Sequence, residues 1–185
     1  MFQKTLLLTS IVLCSTPAFA ETVTLESLPA TEEEFIALRN KLATTPQGGA
    51  AMFALALNMY SDGHPQGAEL LGLVVDMSKL SGKEPTAMKD FKDRNKAKPY
   101  IAYSMIQGTS PENGYTRPAM PWTVSIARVM PAKEDDVRVY VHTTGAESSK
   151  PLQLKKNDKG IWKAAEWSSF QGNCRAPIAK KVDER

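Results

Sequence analysis

The chain predicts an α+β fold, with N-terminal helices (about three to four) packed on a C-terminal antiparallel meander of about five strands. Three observations lead there. Between Gly48 and Tyr60 no residue is charged, and the run is apolar on every helical face. Val137, Val139 and Val141 alternate with Arg138, Tyr140 and His142, the two-residue period of a strand with one buried face. Helical spacing dominates the first half of the chain and strand spacing the second.

Taken in order, Glu21 to Ala30 reads as a lead-in able to pair as an edge strand through Val23 and Leu25. Helix one starts at Thr31. Thr31-Glu32-Glu33-Glu34 is a capping box, and Phe35, Leu38 and Leu42 form its buried stripe. Helix two starts at Thr45-Pro46, a capping hydroxyl followed by the residue best suited to a first helical position, and ends at Asp62-Gly63. Its uncharged surface places it at the centre of the core. Pro46-Gln47-Gly48 recurs as Pro65-Gln66-Gly67, and Gly63 recurs as Gly82, which suggests a helical hairpin. In helix three Leu70, Leu71, Val74, Val75 and Met77 face the core, with Glu69, Asp76 and Lys79 towards water. A short fourth helix spans Pro85 to Phe91, and the mixed charges from Lys89 to Lys98 read as a solvated connector. Strands are expected at Tyr100–Ile106, Trp122–Val129, Val137–Val141, Leu152–Leu154 and Ile161–Phe170, with Asn157-Asp158-Lys159-Gly160 as a hairpin turn. Trp162 and Trp167 are five apart, so a regular strand sends them to opposite faces.

The first twenty residues have the order of a cleavable signal peptide: Lys4, the apolar run Leu6 to Leu13, a break at Pro17, and the small-residue site Ala18-Phe19-Ala20. A lipid-attachment reading at Cys14 is weaker, because Leu13 stands where a small residue is wanted. The expected organisation is therefore a signal peptide at 1–20, one α+β domain at 21–174 and a charged tail at 175–185, in a periplasmic or secreted bacterial protein. Cleavage removes Cys14 and leaves Cys174 alone, so the fold must be held by its core without an internal disulfide. Cys174 is read as a partly buried structural thiol. The net charge is +3 with both signs interspersed, which gives no nucleic-acid footprint. No stretch of the mature chain is long and apolar enough to cross a membrane.

One loop stands out. Gln107 to Pro121 is rich in Gly and Pro and contains the turn signals Ser110-Pro111 and Asn113-Gly114. Its prolines make it stiff, and loops of this length are often functional. Glu112, Asn113, Tyr115 and Arg117, with Trp122 at the exit, are the candidate ligand- or partner-contacting residues. The packing alternative has Glu112 capping a turn, Tyr115 packing on the sheet, and Arg117 pairing with Glu112.

Four segments carry a resemblance: Thr45-Pro46-Gln47-Gly48, Pro99-Tyr100-Ile101, Gly108 to Tyr115, and Lys150 to Lys156 followed by Gly160-Ile161-Trp162-Lys163. Together they resemble an uncharacterised family of secreted bacterial proteins. The resemblance implies a bacterial, single-domain α+β protein and brings no catalytic residues with it.

Chemical motifs are sparse. There is no G-x-S-x-G elbow, no H-E-x-x-H and no Gly-rich phosphate loop. The two histidines, His64 and His142, are too few to suggest a metal centre, and His64 reads as a turn cap. Asp135-Asp136 lie adjacent on a turn and point apart. No catalytic residue, metal ligand or cofactor is assigned. The leading expectation is a non-enzymatic binding module of the cell envelope, with a peptide, a glycan or another envelope protein as partner. The alternative is a hydrolase or transferase of unfamiliar type that uses Glu112, Arg117 or His142 beside the loop.

Overall fold

The computed structural model describes residues 21–78, 86–132 and 136–179. The segment 1–20 expected to be a signal peptide, with Cys14, and Lys79, Gly82, Pro85, Asp135 and the end of the tail lie outside them. Five strands form one antiparallel sheet in sequence order: β1 (Glu21–Leu25), β2 (Trp122–Pro131), β3 (Asp136–Val141), β4 (Lys150–Lys156) and β5 (Trp162–Glu166). Among the described residues five helices lie between β1 and β2: α1 (Glu32–Leu42), α2 (Pro46–Ser61), α3 (Gly67–Val74), α4 (Thr86–Ala97) and the short α5 (Tyr100–Tyr103). The fold is α+β, with one helix more than the upper end of the expected range.

Local chemistry explains the helix starts. Thr31 Oγ1 accepts the Glu34 amide at 3.2 Å, and the Glu34 carboxylate reaches back to the Ala30 amide at 2.7 Å. Thr45 Oγ1 accepts the Gly48 amide at 3.1 Å ahead of the α2 prolyl start. Every residue from Gly48 to Met59 is buried. The helix sits on the inner sheet face, where Val124, Val139, Leu152 and Ala164 point, and the other helices close around it. Phe53 is its deepest anchor, with ring centroids 6.0 Å from Phe91 of α4 and 5.6 Å from Phe170. The one polar side chain in this buried run is Asn58, fully enclosed, whose Nδ2 donates to the carbonyls of Ala54 and Ala102 at 2.9 Å each.

The structure departs from the sequence reading at four places. Tyr100–Ile106 is not a strand but α5 followed by tight turns, because Ile101, Ala102, Met105 and Ile106 pack into the helical layer. A short apolar run has no period that distinguishes a buried strand from a buried helix. The sheet still has five strands because Glu21–Leu25 pairs with β2, Val23 opposite Val124 and Leu25 opposite Trp122. The Lys89–Lys98 stretch is the body of α4, whose Met88 and Phe91 are buried while its charges face water. Helix three stops at Val74; Val75 becomes extended and bridges Ala164, so Met77 is 37% exposed rather than in the core. The fifth strand ends at Glu166, and Ser168–Gln171 forms a 3₁₀ turn that buries Phe170. Trp167 is buried edge-on against Phe91, whereas Trp162 is half-buried.

Phe53→Ala is expected to lower unfolding free energy by about 3–5 kcal/mol, as for other large-to-small core changes. Met77→Ser should stay within about 0.5 kcal/mol of wild type. Urea unfolding of the two variants measures both.

Candidate functional site

The loop from Gln107 to Pro121 is held at three points, one within itself and two against the rest of the chain. Asn113 organises it from within: its Oδ1 accepts the Ser110 amide at 2.9 Å and its Nδ2 donates to the Gly108 carbonyl at 2.9 Å. Gly114 (φ +66°) and Tyr115 (φ +57°) then take left-handed conformations in succession, and the Tyr115 amide closes onto the Ser110 carbonyl at 2.8 Å. That reversal drives the Tyr115 ring inward.

Arg117 is the second tie. Its guanidinium makes two 2.8 Å bonds to the Asp62 carboxylate and donates to Asn58 Oδ1 at 3.1 Å. It lies 4.1 Å from the centroid of Tyr103 and 4.8 Å from that of Trp122. Trp122 is buried and its indole N–H donates to the Pro118 carbonyl at 2.9 Å. The Tyr103 hydroxyl donates to Asp62 at 2.8 Å, and burial, followed by that carboxylate, pushes its pKa up to about 12. The expected Arg117–Glu112 pair is therefore replaced by Arg117–Asp62. Glu112 is exposed and sits 3.6 Å from Arg175 instead. Hydrogen bonds from its own amide and from Ser110, with the Arg175 charge, hold its carboxyl below the usual range.

Tyr115 is the third tie. It does not lie on the sheet: it stacks on Tyr100 with centroids 5.6 Å apart, and its hydroxyl donates to the Arg175 carbonyl at 2.6 Å. Cys174 Sγ lies 3.3 Å from the same oxygen. Burial first, then the Cys174 contact, holds the phenol well above its ordinary pKa. Gly145 closes this corner. A Cβ there would stand 1.8 Å from the Tyr115 hydroxyl and 2.7 Å from Cys174 Sγ, so no side chain fits. The Arg175 amide donates to the Gly145 carbonyl at 2.8 Å, and Ile178 to that of Pro111 at 2.8 Å.

These ties fix one side of a cleft of about 620 Å³ between the 145–151 segment and residues 169–175. It is lined by Glu147, Ser148, Ser149, Lys150, Ser169, Asn173, Cys174 and Arg175, among others. The loop candidates themselves do not line it; Tyr115 acts behind it by holding the Arg175 carbonyl, and Glu112 is an exposed neighbour of the Arg175 guanidinium. His142 is exposed and off the cleft, and His64 Nδ1 accepts the Gln66 amide at 3.2 Å. Glu112, Arg117 and His142 thus do not converge. Among the described residues no group of three His, Cys, Asp or Glu side chains could hold a metal, and no helix is long and apolar enough to cross a membrane.

A family model described as a domain of unknown function (DUF6935) matches residues 27–178. The chain belongs to this family. No curated protein and no solved structure matches it. The DUF6935 match spans the whole cleft lining as well as the loop behind it.

The residue that sequence reasoning missed in this DUF6935 domain is Lys150. It is 5% exposed, and its ammonium donates to the Gly172 carbonyl. Its position was readable: Lys150, Leu152 and Leu154 share one strand phase, so the lysine points inward with the two leucines. Among the described residues no carboxylate lies within ion-pair range of it. Burial lowers its pKa from the ordinary 10.5, and its electrostatic interaction with Cys174 opposes that shift.

Arg117→Ala should lower stability by about 2–4 kcal/mol, because it leaves the Asn58 carbonyl and the Asp62 carboxylate without their partner. Glu112→Ala should leave unfolding unchanged. Chemical denaturation of the pair separates the two roles. Lys150 carries a pH signature. At neutral pH it is charged both folded and unfolded, so the burial cost is present in full. As pH rises through the lowered folded pKa towards 10.5, the folded lysine gives up its proton first and the cost fades. The stability of wild type relative to Lys150→Met should therefore rise between neutral and alkaline pH, which urea unfolding at a series of pH values measures.

Proposed function

We propose that this protein is an exported, non-enzymatic binding module of the bacterial cell envelope, and that its ligand occupies the cleft between residues 145–151 and 169–175. One observation carries the reading: the cleft is preformed. Its C-terminal wall is fastened by the Tyr115 hydroxyl on the Arg175 carbonyl, by the Arg175 amide on Gly145, and by the absence of a side chain at Gly145. A concave site whose walls are fixed before binding loses less to ordering when a ligand arrives. Asn113, Tyr115, Arg117 and Trp122 serve binding from behind the wall by holding the 107–121 loop in place, Arg117 fastening it to the end of α2, and Glu112 stands beside Arg175 at the surface. The apolar run Leu6–Leu13 followed by Ala18-Phe19-Ala20 supports export, with Glu21 as the first mature residue.

Ligand screening by thermal shift against peptide and glycan panels tests the reading. A ligand at 100 times its Kd adds about 2.7 kcal/mol, a shift of several degrees. Ser149→Trp, which fills the cleft from its rim, should abolish the shift and leave the unliganded melting temperature near wild type. Turnover in a hydrolase or transferase panel, or a ligand that Ser149→Trp binds equally well, overturns it. N-terminal sequencing of the native product should begin at Glu21.

A further inference from the structure

We infer that the cleft is a carboxylate-binding site and that its ligand is a short peptide held by its C-terminal carboxylate on Lys150. The inference rests on the binding reading above and adds the chemistry of the ligand.

Lys150 is a positive charge with little water and, among the described residues, no carboxylate partner. The side chain is 5% exposed at the edge of a cleft of about 620 Å³. Of its three N–H donors, one meets the Gly172 carbonyl and none meets a carboxylate among the described residues. The Phe170 ring, 5.9 Å from the ammonium, supplies only a weak substitute. A buried ammonium is costly unless an anion compensates it. Lys150 is itself among the residues that line the cleft, so an anion bound there is placed to compensate it. Arg175 stands at the same cleft with its guanidinium 3.6 Å from the exposed Glu112 carboxylate, a contact weak enough to exchange for a ligand oxygen.

The remaining lining selects a peptide over a sugar acid. No aromatic side chain lines the cleft, so a sugar ring has nothing to stack on. Ser148, Ser149, Ser169 and Asn173 instead offer hydroxyl and amide groups suited to the donors and acceptors of a peptide backbone. Capture of a terminal carboxylate at a preformed site is an established mode of peptide recognition, and ammonium–carboxylate hydrogen bonds are among the strong ones.

The test compares N-acetyl-trialanine with its C-terminal amide, which differ in charge and not in shape. Binding is read by calorimetry and by protection of Cys174, which lines the same cleft, from iodoacetamide. The acid should bind about tenfold or more tightly than the amide and should slow Cys174 alkylation, since a charge-assisted contact is lost in the amide. Lys150→Met should erase the preference; it should also melt higher than wild type without ligand, which shows that it is folded. Lys150→Arg should restore part of the preference. Equal binding of acid and amide by the wild type, or an acid preference that survives Lys150→Met, overturns the inference and leaves the binding reading intact. Binding of galacturonate but of neither peptide also overturns the peptide assignment. A wild-type protein that binds nothing in either panel overturns both.

Discussion

The depth of α2 constrains everything around it. A helix buried from Gly48 to Met59 cannot accept a charge on any side, so each neighbouring element must present an apolar face to it. The sheet does so with Val124, Val139 and Leu152, and α4 with Phe91. The only polar exception is Asn58, and its three hydrogen bonds decide what happens at that end of the molecule. Two go to carbonyls, one within the helix and one in α5. The third accepts from Arg117, so a loop guanidinium is drawn over the end of the core because a buried amide oxygen needs a donor.

From that contact outward the structure is a chain of positional dependences. Asp62 at the end of α2 neutralises Arg117, Tyr103 and Trp122 stack on either side of it, and the loop is held along its length. The same loop then places Tyr115, whose hydroxyl holds the Arg175 carbonyl and so the far wall of the cleft. Side chains that look on paper like binding groups therefore act as fasteners, and the groups that meet solvent in the cleft come from the 145–151 turn and the C-terminal segment. Lys150 is what remains when this network is complete: a cation enclosed by strand phase, with no carboxylate partner among the described residues.

Much of the architecture was legible because its signals are local. Thr31 and Thr45 cap as their positions imply, the valine alternation of β3 faces inward as expected, and Asn157–Gly160 turns the last hairpin. The failures are those in which tertiary context decides. Tyr100–Ile106 has strand composition but lies against helices, and Met77 belongs to a helical pattern that the helix itself does not complete. In the candidate site the loop was recognised, but its partners were not. Asp62 and Arg175 are each more than fifty residues from the loop side chains they engage, and no spacing rule reaches that far. The lysine at an inward strand position was the one readable clue, and it is a single residue among twenty-three basic ones.

The pairing of β1 with β2 sets the order in which the molecule can assemble. Glu21 lies opposite Ile126, so this pairing closes a loop of roughly a hundred residues that contains α1 to α5. Strands β2 to β5 can zip through short hairpins, but β1 can join only after the helical layer has compacted enough to bring it back. Until then β2 has an open hydrogen-bonding edge, the most adhesive surface the chain offers on its way to the native state. Strand β1 thus acts last, as the piece that seals the sheet.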